Sequence, residues 1–464
     1  MIYQLKKSLN VFQLLMISLG GSWGGGMIVS SFYTEPMITG ASTILVFFIA
    51  SIFMYVIMSV LLEMSVDYPN HGSFVEYSYQ YLNSGASFII GWCAVITFIL
   101  LAFITAVMFG SLLQHFIPIP PLILSTSLVV IFTACNLLSV RKYAIIQTVL
   151  TITKIMILVI LNIYISILAL KHHIVNHAPA LISTSSLFSS AIDQIINTLL
   201  VFCVVFTSLE YASIAGGEAK RPQKTLPKTI KLLFTIILLI AIFVSIPAYF
   251  GFQGKFTEFF NILYQNHPQP SLLNLPIMVI HIFELIFLLA SFAMLNSAIY
   301  ASSRLLLSLA KNSSAPARIA VISKNGIPKN AVISASLAIL LLILLLHLVS
   351  YPNTLLVSVV LYCISFFILT NWIVLLFIYL YFYRSVLIRN SYLRKLHTPE
   401  NQIKHPSKIK LASAIITIFC LLSVLLLLLS NQTFRLSFYI MFIVITTLSV
   451  INALRNNISY RENE

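Results

Sequence analysis

The chain has 464 residues, of which 59% are apolar and only 8% charged, and its formal net charge is +15. A soluble domain carries about 25% charged residues because its outside faces water; the composition here excludes an ordinary soluble fold and fits a protein whose outside faces hydrocarbon. The basic excess does not mark a nucleic-acid partner, because of where it falls along the chain.

Lys6 and Lys7 precede the first apolar run, and no small-residue cleavage site follows, so that run predicts an uncleaved helix. Apolar runs of membrane-spanning length then recur near 11–33, 37–64, 86–116, 121–140, 145–169 and 190–218. They continue near 229–251, 276–309, 331–350, 354–383, 411–430 and 433–454. The expected class is an all-α membrane protein with about 12 transmembrane helices. With the N-terminus inside, 23 Lys and Arg residues fall in inner segments and three, Lys171, Lys255 and Arg435, in outer ones, with Lys154 inside a span. Cytoplasmic loops carry such a bias, so the basic excess sets orientation and both termini are expected in the cytoplasm. The longest polar stretch, 384–410, reads as an inner loop. The cysteines (Cys93, Cys135, Cys203, Cys363 and Cys420) lie in apolar segments without CxxC spacing and read as small buried hydrophobes.

The first span is interrupted by Gly20-Gly21-Ser22-Trp23-Gly24-Gly25-Gly26. Each glycine costs about 1 kcal/mol relative to alanine inside a helix. Such a cluster fits either close packing through small residues or a broken helix whose free N–H and C=O groups line a cavity; the density of the cluster favours the break. The sixth span carries Phe206-Thr207-Ser208-Leu209-Glu210 at corresponding depth, with an ionisable group where one is expensive. Paired interruptions point to inverted five-helix repeats with a site between them. Free N–H groups at Gly24–Gly26 would attract a carboxylate, and free carbonyls of the inner half of the first helix and around Phe206–Leu209 an ammonium. The substrate site is therefore placed at Gly21, Ser22, Trp23, Gly24, Gly25, Gly26, Phe206, Thr207, Ser208, Leu209 and Glu210, with Trp23 narrowing the pocket.

Four stretches resemble the amino acid–polyamine–organocation superfamily, particularly its bacterial amino acid/proton symporters. Leu19-Gly20-Gly21 with Gly24 and Gly26 is similar to the first-helix glycine signature, and Tyr68-Pro69-Asn70-His71-Gly72-Ser73-Phe74 to the inner loop before the third helix. Glu210-Tyr211-Ala212-Ser213-Ile214-Ala215-Gly216-Gly217-Glu218-Ala219 is the most specific match, and Asn296-Ser297-Ala298-Ile299-Tyr300-Ala301-Ser302-Ser303-Arg304 resembles the eighth-helix motif. The resemblance implies a LeuT-like fold of 5+5 inverted repeats plus two C-terminal helices. The first repeat would occupy 1–170 and the second 186–384, followed by a cytoplasmic loop at 385–410 and the last two helices with a cytoplasmic tail at 411–464. Family members also place a lysine in the fifth helix where sodium-coupled relatives bind an ion, so Lys154 would replace that cation and exchange a proton during transport; a purely structural ammonium is the other reading.

Glu284 in the eighth span reads either as a relay or cationic subsite or as a hydrogen-bonded structural carboxyl. Glu63, Asp67, Glu76 and Glu218 near the inner boundary fit solvated faces or gating ion pairs. His115, His281, His172, His173 and His177 have no metal-ligand spacing. No GxxxxGK[ST] motif or nucleophile–base constellation is present, which disfavours ATP-driven transport and enzymatic chemistry, and no cofactor is implied. The expected function is amino acid import across the bacterial cytoplasmic membrane, coupled to protons, with the lipid bilayer as a further partner and no nucleic acid. An amino acid or polyamine exchanger and a transporter-like nutrient receptor are the alternatives.

Overall fold

Asn10 starts the first helix. Its Oδ1 accepts from the Gln13 N–H at 2.8 Å, and Gln13 Oε1 accepts from the Asn10 N–H at 3.2 Å, a reciprocal cap that satisfies two backbone donors as the apolar run begins. The computed structural model describes residues 5–21, 41–67, 74–114, 116–176, 207–252, 277–348, 354–395, 408–429 and 432–461. Among them run α1 (Val11–Gly21), α2 (Ala41–Asp67), α3 (Phe74–Tyr81), α4 (Ser84–Leu113), α5 (Pro121–Asn136), α6 (Val140–Asn176) and α7 (Ser208–Ile214). There follow α8 (Pro222–Phe252), α9 (Ile277–Lys311), α10 (Lys329–Leu348), α11 (Thr354–Lys395), α12 (Lys408–Leu428) and α13 (Gln432–Arg461). Short 3₁₀ turns occupy Ala215–Glu218 and Ala317–Ala320. No named strand occurs among the described residues; the isolated bridge Leu9↔Ala219 is the extended pairing there.

Among the described residues, seven helices carry stretches long and apolar enough to cross a bilayer: Phe48–Ser65, Ser84–Leu113, Val140–Ile160, Lys329–Leu348, Val357–Asn390, Lys408–Leu428 and Phe434–Arg455. Hydrocarbon offers backbone groups no partner, so a helix that pairs them internally is the form such a run must take. Hydroxyls inside these runs follow the same logic. Thr97, Thr105 and Ser365 donate back to the carbonyls of Cys93, Leu101 and Leu361, four residues earlier.

Burial orders the helices. The spanning windows of α4 and α11 are 67% and 78% buried, against 28% and 22% for α12 and α13, so α4 and α11 are central and the last two helices peripheral. Small residues bring the central helices together: a Cβ on Gly110 of α4 would collide with Ser125 of α5, and one on Gly91 would press into Leu309 of α9. The short α1 packs among α6, α7, α8 and α9; this surrounds its end with polar groups.

One boundary differs from the sequence reading. α11 continues through Arg384, Arg389 and Arg394 to Lys395, into the stretch read as a loop, and α12 is described from Lys408. No Gly or Pro interrupts 384–395, and arginine and leucine are good helix formers, so polarity ends the apolar span without ending the helix. Arg304, the last residue of the eighth-helix motif and one of the inner-segment charges, lies within α9 as that motif implies and is 2% exposed.

Candidate functional site

α6 carries Tyr143, Gln147, Thr151 and Lys154 at spacings of four, four and three, which places them along one helical face. All are buried. α9 answers with Asn296, Ser297, Tyr300 and Arg304, likewise buried and on one face. The two stripes meet. Tyr143 stacks on Tyr300 with ring centroids 4.7 Å apart, and Gln147 Nε2 donates to Ser297 Oγ at 2.9 Å while Asn296 Nδ2 donates to Gln147 Oε1 at 2.6 Å.

The far end of this seam holds α1. Thr151 Oγ1 donates to the Met16 carbonyl at 3.0 Å, Ser297 Oγ to the Ile17 carbonyl at 3.2 Å, and Lys154 Nζ to the Leu19 and Gly20 carbonyls at 2.8 and 3.3 Å. Helix carbonyls point along the axis toward the C-terminal side and carry the negative side of the peptide dipole; the ammonium lies against two of them. Lys154 lies fourteen residues into α6, about 21 Å along the axis at 1.5 Å per residue, and is 1% exposed. Its charge therefore faces main-chain oxygen inside the bundle.

α1 and α7 are in contact at the two segments singled out from the sequence. A Cβ on Gly21 would fall within the ring of Tyr211, and one on Gly20 would collide with Gln147 Nε2. These two glycines thus serve close packing, the role of small residues in membrane helices. Gly21→Ala sets two effects against each other: alanine gains about 1 kcal/mol of helix propensity, but overpacking against Tyr211, itself backed by Phe98 at 5.0 Å, costs about 1–3 kcal/mol. The clash should win, and thermal unfolding of the detergent-purified variant should occur below the wild-type temperature; a rise would refute this packing account.

Glu210 sits in the first turn of α7, 4% exposed, and accepts from Trp372 Nε1 of α11 at 2.7 Å. Thr207 is fully buried beside it. At the other end of the seam the Glu218 carboxylate receives Arg304 Nε at 3.1 Å and the Tyr300 hydroxyl at 2.7 Å, and the guanidinium lies 4.0 Å from the Tyr300 ring centroid. The Glu218 carbonyl accepts from the Ser8 and Leu9 N–H groups at 2.9 and 3.0 Å, and the Lys220 N–H donates to the Leu9 carbonyl at 3.0 Å. Of the other boundary acids, Glu63 pairs with Lys410 at 2.7 Å and Glu76 accepts from Ser308 at 2.6 Å.

Among the residues picked from the sequence, Gly21, Thr207, Glu210 and Lys154 fall in this region. Ser22, Trp23, Gly24, Gly25, Gly26 and Phe206 lie outside the described residues, as do the side chains of Ser208, Leu209 and Glu284. The sequence reading missed Trp372, Thr151, Gln147 and Asn136. Their signal was present: hydrogen-bonding side chains at helical spacing inside apolar runs are uncommon, and in lipid they must find partners.

Comparison with known proteins narrows what such a bundle does. The sequence profile described as "Amino acid permease" matches residues 13–457. The chain belongs to the amino acid permease family. Within it, the amino-acid permease RocC of Bacillus subtilis (strain 168) is 28% identical over 343 residues, covering 71% of each chain. The aromatic amino acid transport protein AroP of Escherichia coli (strain K12) is 26% identical over 357 residues, covering 74% of this chain and 75% of AroP. Among solved structures, a mutant manganese transporter of Eremococcus coleocola superposes with a TM-score of 0.59 at 11% identity, covering 96% of this chain and 94% of the other. The permease is thus a multi-pass membrane transporter with the LeuT-like fold. A manganese carrier sharing that fold shows that the fold alone leaves the cargo open; the family narrows it.

Proposed function

We propose that this permease imports amino acids across the bacterial cytoplasmic membrane by alternating access, with inward movement coupled to protons through Lys154. The observation that carries the reading is the Lys154 ammonium seated on the Leu19 and Gly20 carbonyls at the end of α1, in a chain of the amino acid permease family. The ammonium ties the Leu19–Gly20 turn of α1 to α6. Loss of its proton removes that charge, so protonation biases the position of α1 and ties proton movement to the opening of the site.

In this reading the substrate's carboxylate binds the backbone N–H groups around Ser22–Gly26, and its ammonium binds carbonyls near Phe206–Leu209 with Glu210 beside them. Trp372 holds the Glu210 carboxylate in place. Glu284 is a relay or a subsite for a cationic side chain. The repeats run over 1–170 and 186–384, and both termini are cytoplasmic, as the Lys and Arg bias supports. The names of the relatives RocC and AroP support an amino acid as cargo.

The test is a counterflow panel of amino acids and polyamines in proteoliposomes holding the purified protein. Counterflow of one or more amino acids, with accumulation against a gradient when the outside is acidified, is the expected result. Counterflow indifferent to an imposed pH gradient would make the protein an exchanger. Binding without counterflow would make it a receptor.

A further inference from the structure

Asn136, Asn296, Gln147 and Ser297 form a buried chain of hydrogen bonds with one direction. Asn136 Nδ2 donates to Asn296 Oδ1 at 2.9 Å, Asn296 Nδ2 to Gln147 Oε1 at 2.6 Å, Gln147 Nε2 to Ser297 Oγ at 2.9 Å, and Ser297 Oγ to the Ile17 carbonyl at 3.2 Å. The direction is not a free choice of amide orientation. Asn136 Nδ2 also meets the Phe132 carbonyl at 2.9 Å, and Gln147 Nε2 the Ala293 carbonyl at 3.0 Å. A carbonyl only accepts, so both amides must present nitrogen there, and Asn296 between them is then fixed as well. The carbonyl of Asn136, at the head of the chain, has no partner among the described residues.

The last link is unusual for a helical serine. Elsewhere in α9, Ser302 and Ser303 turn back to carbonyls of their own helix, those of Ile299 and Tyr300, the ordinary choice in an apolar run. Those two bonds reach three residues back, which for Ser297 is Met294, but its hydroxyl is directed to Ile17 instead; the other back-bonding acceptor open to a helical serine is Ala293, four residues earlier. It already accepts the helical N–H of Ser297, and Gln147 Nε2 takes its second lone pair. Gln147 also donates into Ser297 Oγ, so the serine's single hydrogen is turned outward to α1. Gly20 makes room for this arrangement, because any Cβ there would collide with Gln147 Nε2.

We propose that Gln147 is a positioning residue: it aims the Ser297 hydroxyl at the Ile17 carbonyl and so holds the end of α1 in the register that builds the substrate site. The inference rests on the reading of that end as part of the site. Gln147 touches no substrate; it acts through Ser297, on the same turn of α1 that Thr151 and Lys154 hold from the other side.

The experiment compares the full chain with Gln147→Met (similar length, no donor), Ser297→Ala, the double variant and Ser297→Thr, each reconstituted and assayed by counterflow. Gln147→Met and Ser297→Ala should each raise KM about five- to tenfold, the loss of one hydrogen bond, with the maximal rate within about twofold. The double variant should be no worse than either single, since both remove the same link. Ser297→Thr, which keeps the hydroxyl, should match wild type, and it decides against Ser297→Ala alone if Gln147→Met does not fold. Effects that multiply in the double variant, an unchanged KM in Gln147→Met, or a fall in maximal rate alone would overturn the inference. Absence of counterflow in the wild type would instead sink the proposed function. Amide hydrogen exchange across residues 17–21 then decides: faster exchange in both single variants supports the positioning role, and unchanged exchange refutes it.

Discussion

Lys154→Ala is expected to abolish accumulation of amino acid driven by a pH gradient, a fall of at least about tenfold in the steady-state level. The variant removes both the proton carrier and the donor to two buried carbonyls, Leu19 and Gly20. A hydrogen bond made by a charged group is worth about 1.5–3 kcal/mol, so Lys154→Ala should also be less stable, and the two losses need separating. Lys154→Gln does this. Its amide is one bond shorter but still donates toward the end of α1, and it neither gains nor loses a proton. It should retain counterflow, which needs no net coupling, while failing to accumulate substrate uphill. Uphill, pH-dependent uptake at the wild-type level in Lys154→Ala would remove Lys154 from the coupling step and leave it as a structural cap.

The second large effect is expected at the opposite end of the seam. Glu218→Gln leaves the Arg304 guanidinium buried without a counter-charge, where both side chains are 2% or less exposed. Breaking one side of such a pair costs about 3–5 kcal/mol, whereas replacing both charges by neutral groups of similar volume is often close to neutral. The pairing of Glu218→Gln with Arg304→Met is the informative one. The new amide oxygen still accepts from Tyr300, which now donates to Glu218 Oε2, and no charge remains. Thermal unfolding in detergent should place Glu218→Gln well below wild type and the double variant most of the way back. Equal melting of Glu218→Gln and wild type would mean that Arg304 does not depend on this partner.

The class of fold was legible because the bilayer imposes it: a run such as 84–113, with no charged residue, has no alternative to a helix in hydrocarbon. Lys154 and Glu210 stood out for the same reason, as ionisable groups at positions where a charge must have a purpose. Pairing was not legible. Glu218 lies 86 residues from Arg304, and Glu210 lies 162 from Trp372; only the packed bundle brings them together. The boundary acids show the limit well, since Glu63, Glu76 and Glu218 look alike in sequence yet meet a lysine, a serine and a buried arginine respectively. Gly20 and Gly21 taught a different lesson. Both interpretations of the glycine cluster were physically sound, and these two members turn out to make room for Gln147 and Tyr211, which no local pattern could distinguish from a break.

The chain ahead of α1 is stitched to the turn after α7 by Ser8, Leu9 and Lys220 through main-chain hydrogen bonds, and Leu9 is fully buried. Engineering therefore has a preferred side. A bulky fluorescent or affinity fusion placed directly before Leu5 would tug on this stitch and, through Glu218, on Arg304. The same cargo attached beyond Arg461 would load only α13, a peripheral helix, and so suits reporters that must not disturb transport.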